Sequence, residues 1–224
     1  MDFLAYIIVP LLLGLWAQWK VKATFNRWSE VGTRSGVTGA EAAAEVLRAA
    51  GVSGVSIERV DGFLTDHYDS SARRLALSSQ NYDGSSVAAL GVAAHEAGHA
   101  IQHAQAYAPL RLRSLLVPVT MVANQVAFWI LLVGGFLLAQ GGGGMILNIA
   151  IGAYAIVTLF TLVTLPVEFD ASARANRALV AAGLLDREES AGAKQVLDAA
   201  AWTYIAAFVA ALGNLLWLFS RREE

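Results

Sequence analysis

Residues 95–99 read His95-Glu96-Ala97-Gly98-His99. Two histidines four residues apart on a helix share one face, a turn apart, and their ring nitrogens can reach a single Zn²⁺ at about 2.0–2.1 Å. Glu96, next to the first of them, can serve as a base toward a metal-activated water without being a ligand. That chemistry needs neutral nitrogen donors, one open metal position and one carboxylate outside the ligand set. The competing reading is a pair of buried histidines on an alanine-rich helix. The surroundings favour the first, because residues 85–106 read as one helix with Ser85 or Ser86 as N-cap. Gly91 and Gly98 each cost this helix about 1 kcal/mol relative to alanine, which suggests close approach of another backbone or of substrate.

A catalytic zinc takes three protein ligands and keeps a fourth position open. The chain has no cysteine, so any metal must be held by His, Asp or Glu. His103 lies on the same helix face but about 12 Å from His95 along the axis, too far for one ion. Position 105 is Gln105, which excludes the motif with a third histidine six residues after the second. His67 is distant in sequence with nothing to fix it. Glu168 is the best candidate, because the order of the apolar spans returns it to the membrane face of the motif helix. Asp170 and Arg174 are spaced to pair on a following helix, and Asp170 could instead hold a ligand histidine through its second ring nitrogen.

The elements that must carry these residues are largely apolar. Of 224 residues 56% are hydrophobic and only 15% charged, with mean hydropathy +0.51. This is the composition of a membrane protein. The net charge of −2 leaves no nucleic-acid footprint. Residues 3–19 form a first span, containing Pro10 and ending in Trp16 and Trp19, where interfacial aromatics belong. Lys20, Lys22, Arg27 and Arg34 come directly after it, so that end is expected to be cytoplasmic. Residues 20–114 form a water-facing segment. In it Thr38 and Glu41 make a capping-box pattern that opens a helix to Ala50, with Gly51 ending it. Residues 55–60 and 74–78 read as strands. Between them Asp66-His67-Tyr68-Asp69 is polar and turn-rich, either a site or a turn with Asx-type hydrogen bonds. A strand placed before the motif helix could offer its edge to an extended peptide.

Spans two and three are read at 115–139 and 145–167, joined by the uncharged 140–144 turn. Glu168 therefore comes after the third span, at the face where the motif helix precedes the second. Pro166, just before it, can kink or break the helix and re-aim the segment beyond. Residues 168–198 are a cytosolic helical segment carrying the third ligand, and 199–219 a fourth span. Arg221 and Arg222 then fall on the outer side, which leaves a re-entrant or interfacial fourth segment open.

Here the resemblance becomes specific. Asp66-His67-Tyr68-Asp69, Leu77-Ser78, residues 92–102 around the motif, Leu110 with Leu112-Arg113, and Glu168-Phe169-Asp170-Ala171-Ser172 together resemble the YugP family of prokaryotic membrane zinc metallopeptidases. The resemblance covers most of the chain and implies zinc-dependent proteolysis at the membrane. It also implies a looser similarity to HtpX-type gluzincins, whose third ligand is a Glu after a transmembrane span. There an Asp commonly stands four residues after that Glu, whereas here the position is Ser172.

The expected protein is mainly α, a multi-span membrane protein with a cytosolic zincin-like α+β insert carrying the motif helix. His95, His99 and Glu168 are its Zn²⁺ ligands and Glu96 its catalytic base. Asp170, Arg174, His67 and His103 are candidates for supporting or substrate contacts. Its partners are a peptide or membrane-protein substrate and the lipid bilayer, with no nucleic acid, and oligomeric state is open. Its place is a prokaryotic inner membrane, with the site facing the cytoplasm. Two alternatives stand beside this: a catalytically silent zinc-binding scaffold, and a site-2-type protease with its zinc inside the bilayer, which the apolar run 87–101 would suit.

Overall fold

A computed structural model describes residues 2–139 and 143–222. The expected turn at 140–142 lies outside the described residues, as do the side chains of residues 2–5, 7 and 131–143, and so part of the first span. The chain is mostly helical: α1 (Asp2–Ser29), α2 (Gly39–Ala49), β1 (Ser56–Val60), β2 (His67–Asp69), β3 (Arg74–Ser78), α3 (Ser79–Tyr82), α4 (Val87–Ala104), α5 (Ala108–Ala139), α6 (Gly143–Ala181) and α7 (Arg187–Ser220). It divides into two compact units. One comprises residues 1–17, 111–166 and 203–224, the other 18–110 and 167–202.

The first unit is built from stretches of α1, α5, α6 and α7. Among the described residues, three helices are long and apolar enough to cross a membrane, within Ala108–Ile130, Gly144–Ala181 and Arg187–Ser220. Small residues line the helix contacts, with Ala123, Ala127 and Ala153 in one buried cluster and Ala150 in another. Small side chains let helix backbones approach where lipid supplies no hydrophobic drive. Thr158 and Thr164 turn their hydroxyls onto the carbonyls of Tyr154 and Phe160, at 2.7 and 2.8 Å, so neither hydroxyl is left bare on an apolar helix. Pro166 lies inside α6, which continues unbroken to Ala181. Of the kink or break expected at Pro166 the break does not occur, and Glu168 belongs to the same helix as the apolar run before it.

The second unit is organised around α4. Ser86 caps this helix by accepting from the Ala89 N–H, and Val87, Leu90, Ala93, Ala94, Ala97, Ala100 and Ile101 enter one core. That core also takes Val46 and Leu47 from α2, Leu75 and Leu77 from β3, Ala175 and Leu179 from α6, and Ala193 and Leu197 from α7. Each large aliphatic chain buried there contributes about 1.5–3 kcal/mol. A helix apolar all round is one packed all round, so core packing accounts for the hydrophobicity of residues 87–101. The Thr38–Glu41 capping box forms at the start of α2, and Gly51 stands just past its end at φ +68°.

The sheet order is β1-β3-β2, with β1 parallel and β2 antiparallel to β3. β3, the strand before the motif helix, is therefore internal. It has no edge to offer a peptide, and the edges belong to β1 and β2. β2 itself was not anticipated. It arises inside the polar stretch because Tyr68 pairs with Leu75 and packs against the core.

Candidate metal centre

The motif sits in the second half of α4, where the four-residue spacing turns both histidine rings to one side, their centroids 4.8 Å apart. Across from them stands Glu168, in the part of α6 that belongs to the same unit. The approach depends on Gly98. A Cβ there would lie 2.7 Å from the Ala171 carbonyl oxygen and 3.3 Å from its Cα, so only glycine admits the α6 backbone this closely. Gly91, by contrast, meets Ala193 at ordinary contact distance. Of the two expected close approaches, the tight one is beside the histidines and is made by backbone.

One carboxylate oxygen, Glu168 Oε2, lies 3.3 Å from His95 Nε2 and 3.5 Å from His99 Nε2. Donor atoms of all three residues fall within 4.8 Å of one another. A tetrahedral zinc with bonds of about 2.0–2.1 Å has donor–donor edges of roughly 3.3–3.4 Å, so this donor set fits such an ion. The other ring nitrogens are engaged elsewhere: His95 Nδ1 meets Ser172 Oγ at 3.1 Å, and His99 Nδ1 meets Gln102 Oε1 at 3.0 Å. Both Nε2 atoms are thereby directed at the shared oxygen. Glu168 is only 3% exposed, and a buried carboxylate is retained when it is paired or coordinates a metal. Burial by itself disfavours a charged His99, but the hydrogen bond to Glu168 and the nearby carboxylates of Glu96 and Glu168 outweigh it. The imidazole is held above its ordinary range.

Glu96 is 8% exposed, and among the described residues its carboxylate takes part in no hydrogen bond or ion pair. Asp170 does not reach a histidine. It accepts from Gln102 at 2.8 Å and pairs with Arg174, as their spacing suggested, while Arg174 also donates to Gln105. His103 stands apart from the metal group and meets the Tyr68 hydroxyl at 2.9 Å; burial raises that phenol, keeping it protonated. His67 is exposed and bonded to the Thr65 carbonyl. Two residues that touch the histidines, Gln102 and Ser172, were not singled out as contacts in the sequence. The signal for Gln102 was its place three residues after His99 on the same helix. Ser172 stood out only as a departure from the aspartate that the looser resemblance led one to expect.

The chain belongs to the family described as "Putative neutral zinc metallopeptidase", which matches residues 3–222. It is 43% identical over 216 residues to the "Putative membrane protease YugP" of Bacillus subtilis (strain 168), covering 96% of this chain and 94% of that protein. No solved structure matches it. The family expected from the motif and its flanking residues is the one found.

Proposed function

We propose that this protein is a membrane-anchored zinc endopeptidase whose site opens on the cytoplasmic face. His95, His99 and Glu168 would hold the ion, two neutral nitrogens and one anionic oxygen leaving a fourth position for reaction. Zinc in that position supplies a Lewis acid for a peptide carbonyl and for water. The chain supplies the rest. Glu96, buried beside the ligands and accepting no hydrogen bond, accepts a proton from the attacking water and returns it to the leaving amine. The basic residues after the first span and before the second support the cytoplasmic orientation. Packing of α4 inside the second unit supports a site held in protein rather than one exposed to lipid.

The convergence of His95 Nε2 and His99 Nε2 on one Glu168 oxygen carries this reading. Its test is metal analysis of the purified protein, paired with casein cleavage by the wild type and by Glu96→Gln. About one zinc per chain and cleavage that Glu96→Gln abolishes are expected. Stoichiometric zinc with no cleavage of any unfolded substrate would replace the enzyme with a zinc-binding scaffold. Reporters fused after Ala106 and within 141–144 should report opposite sides of the membrane.

A further inference from the structure

We infer that Gln102 is a positioning residue that fixes His99 as an Nε2 donor and ties it to the segment carrying Glu168, an inference that rests on the metal-site reading. Gln102 is fully buried. Its amide nitrogen donates to the Val167 carbonyl and to Asp170 Oδ2, each at 2.8 Å. Its oxygen, 3.0 Å from His99 Nδ1, can only accept. The reversed amide would set its oxygen against a carbonyl and a carboxylate and aim its NH₂ at the ring, so two acceptors together select the observed orientation. Given that orientation, Gln102 accepts from a protonated His99 Nδ1, which leaves Nε2 to donate its lone pair once an ion replaces the proton that Glu168 favours there.

His95 lacks this control. Its Nδ1 partner is the Ser172 hydroxyl, which can donate or accept. Val167 also immediately precedes Glu168, so one side chain holds both the ring of one ligand and the backbone that presents another. Asp170 is in turn held by Arg174, which Gln105 and the Tyr107 ring flank. The tie therefore continues from Gln102 through Asp170 to Arg174.

The test uses the full-length protein in detergent, with zinc affinity measured by chelator competition. The His99 ring is read from imidazole ¹⁵N shifts of the zinc-loaded protein, which distinguish Nε2 from Nδ1 ligation. Wild type should show Nε2 ligation alone. Gln102→Leu should mix the two and weaken zinc about 10- to 100-fold. The pair Gln102→Glu with Asp170→Asn keeps an acceptor facing Nδ1 and returns a donor from position 170, so it should bind zinc more tightly than Gln102→Leu. A purely space-filling role predicts the reverse order, because leucine suits a buried site better than glutamate. That reverse order, or a Gln102→Leu protein with wild-type affinity, overturns the inference. Should Gln102→Leu not fold, Asp170→Asn is expected to raise affinity in the Gln102→Glu background and lower it in wild type; lowering in both overturns the inference. If wild type takes up no zinc, the metal reading falls and this inference with it, whereas zinc uptake with unchanged affinity in Gln102→Leu overturns this inference alone.

Discussion

Two parts of the second unit are rich in Asp, Glu and His, and they behave in opposite ways. In the stretch around β2 the polar groups are consumed locally. Asp66 accepts from the Ser78 N–H and hydroxyl and from Asn81, and Asp69 accepts from the N–H groups of Ser71 and Ala72. Those two backbone donors, Ala72 foremost, hold the Asp69 carboxyl below its usual range. His67 and Tyr68 each have a partner as well. Between α4 and α6 the groups instead converge: two Nε2 atoms face one carboxylate oxygen, and among the described residues Glu96 beside them accepts no hydrogen bond. Density of acids and histidines is thus a poor sign of a site. What distinguishes the second region is donors aimed at one point, with their other atoms already occupied.

The largest effects should come from breaking that convergence. Glu96→Gln should keep its zinc and lose about 10²–10⁴ in hydrolysis rate, since only the base is removed. Glu168→Gln should lose zinc affinity itself, because a neutral amide replaces an anionic donor, and added zinc should partly restore its activity but not that of Glu96→Gln. Equal zinc content in both variants would remove Glu168 from the ligand set.

Acid should weaken zinc binding by up to about tenfold per pH unit, because the ion must displace the proton that Glu168 and Glu96 favour on His99. The metal-free protein should run the other way. A raised folded-state pKa contributes stability below the unfolded value, and that contribution disappears as pH rises through the folded one. Melting temperatures in chelator and zinc affinities across pH would show the two trends; parallel trends would mean that His99 is not the titrating group.

Gly98→Ala pushes a methyl group toward the Ala171 carbonyl. It should cost about 1–3 kcal/mol in stability and weaken zinc binding; improved stability, as helix propensity alone predicts, would show that the close approach is dispensable. Asp66→Ala sharpens the contrast from the other side. It strands the Ser78 and Asn81 donors and should cost about 1–3 kcal/mol on unfolding while zinc affinity stays at the wild-type value. A loss of zinc affinity there would couple the β2 stretch to the metal ligands, although its bond to the motif helix, Tyr68 to His103, lies apart from them.

Much of this was readable without coordinates, for local reasons. The capping box at Thr38 and Glu41, the helix through His95 and His99 and the strands at 56–60 and 74–78 arise from spacing over a few residues. The membrane-length helices arise from apolar runs, and hairpin topology was enough to rank Glu168 first. Tertiary structure alone decided how those parts meet. α6 passes through Pro166 unbroken, because proline removes one backbone donor and its cost can be offset by packing. β3 became internal because strands on both sides of it in space come from earlier in the chain. Asp170 reached Gln102 rather than a histidine, and Ser172 reached His95. These last contacts are set by where the α6 backbone settles on Gly98, a meeting of positions more than seventy residues apart that leaves no periodic trace in either segment.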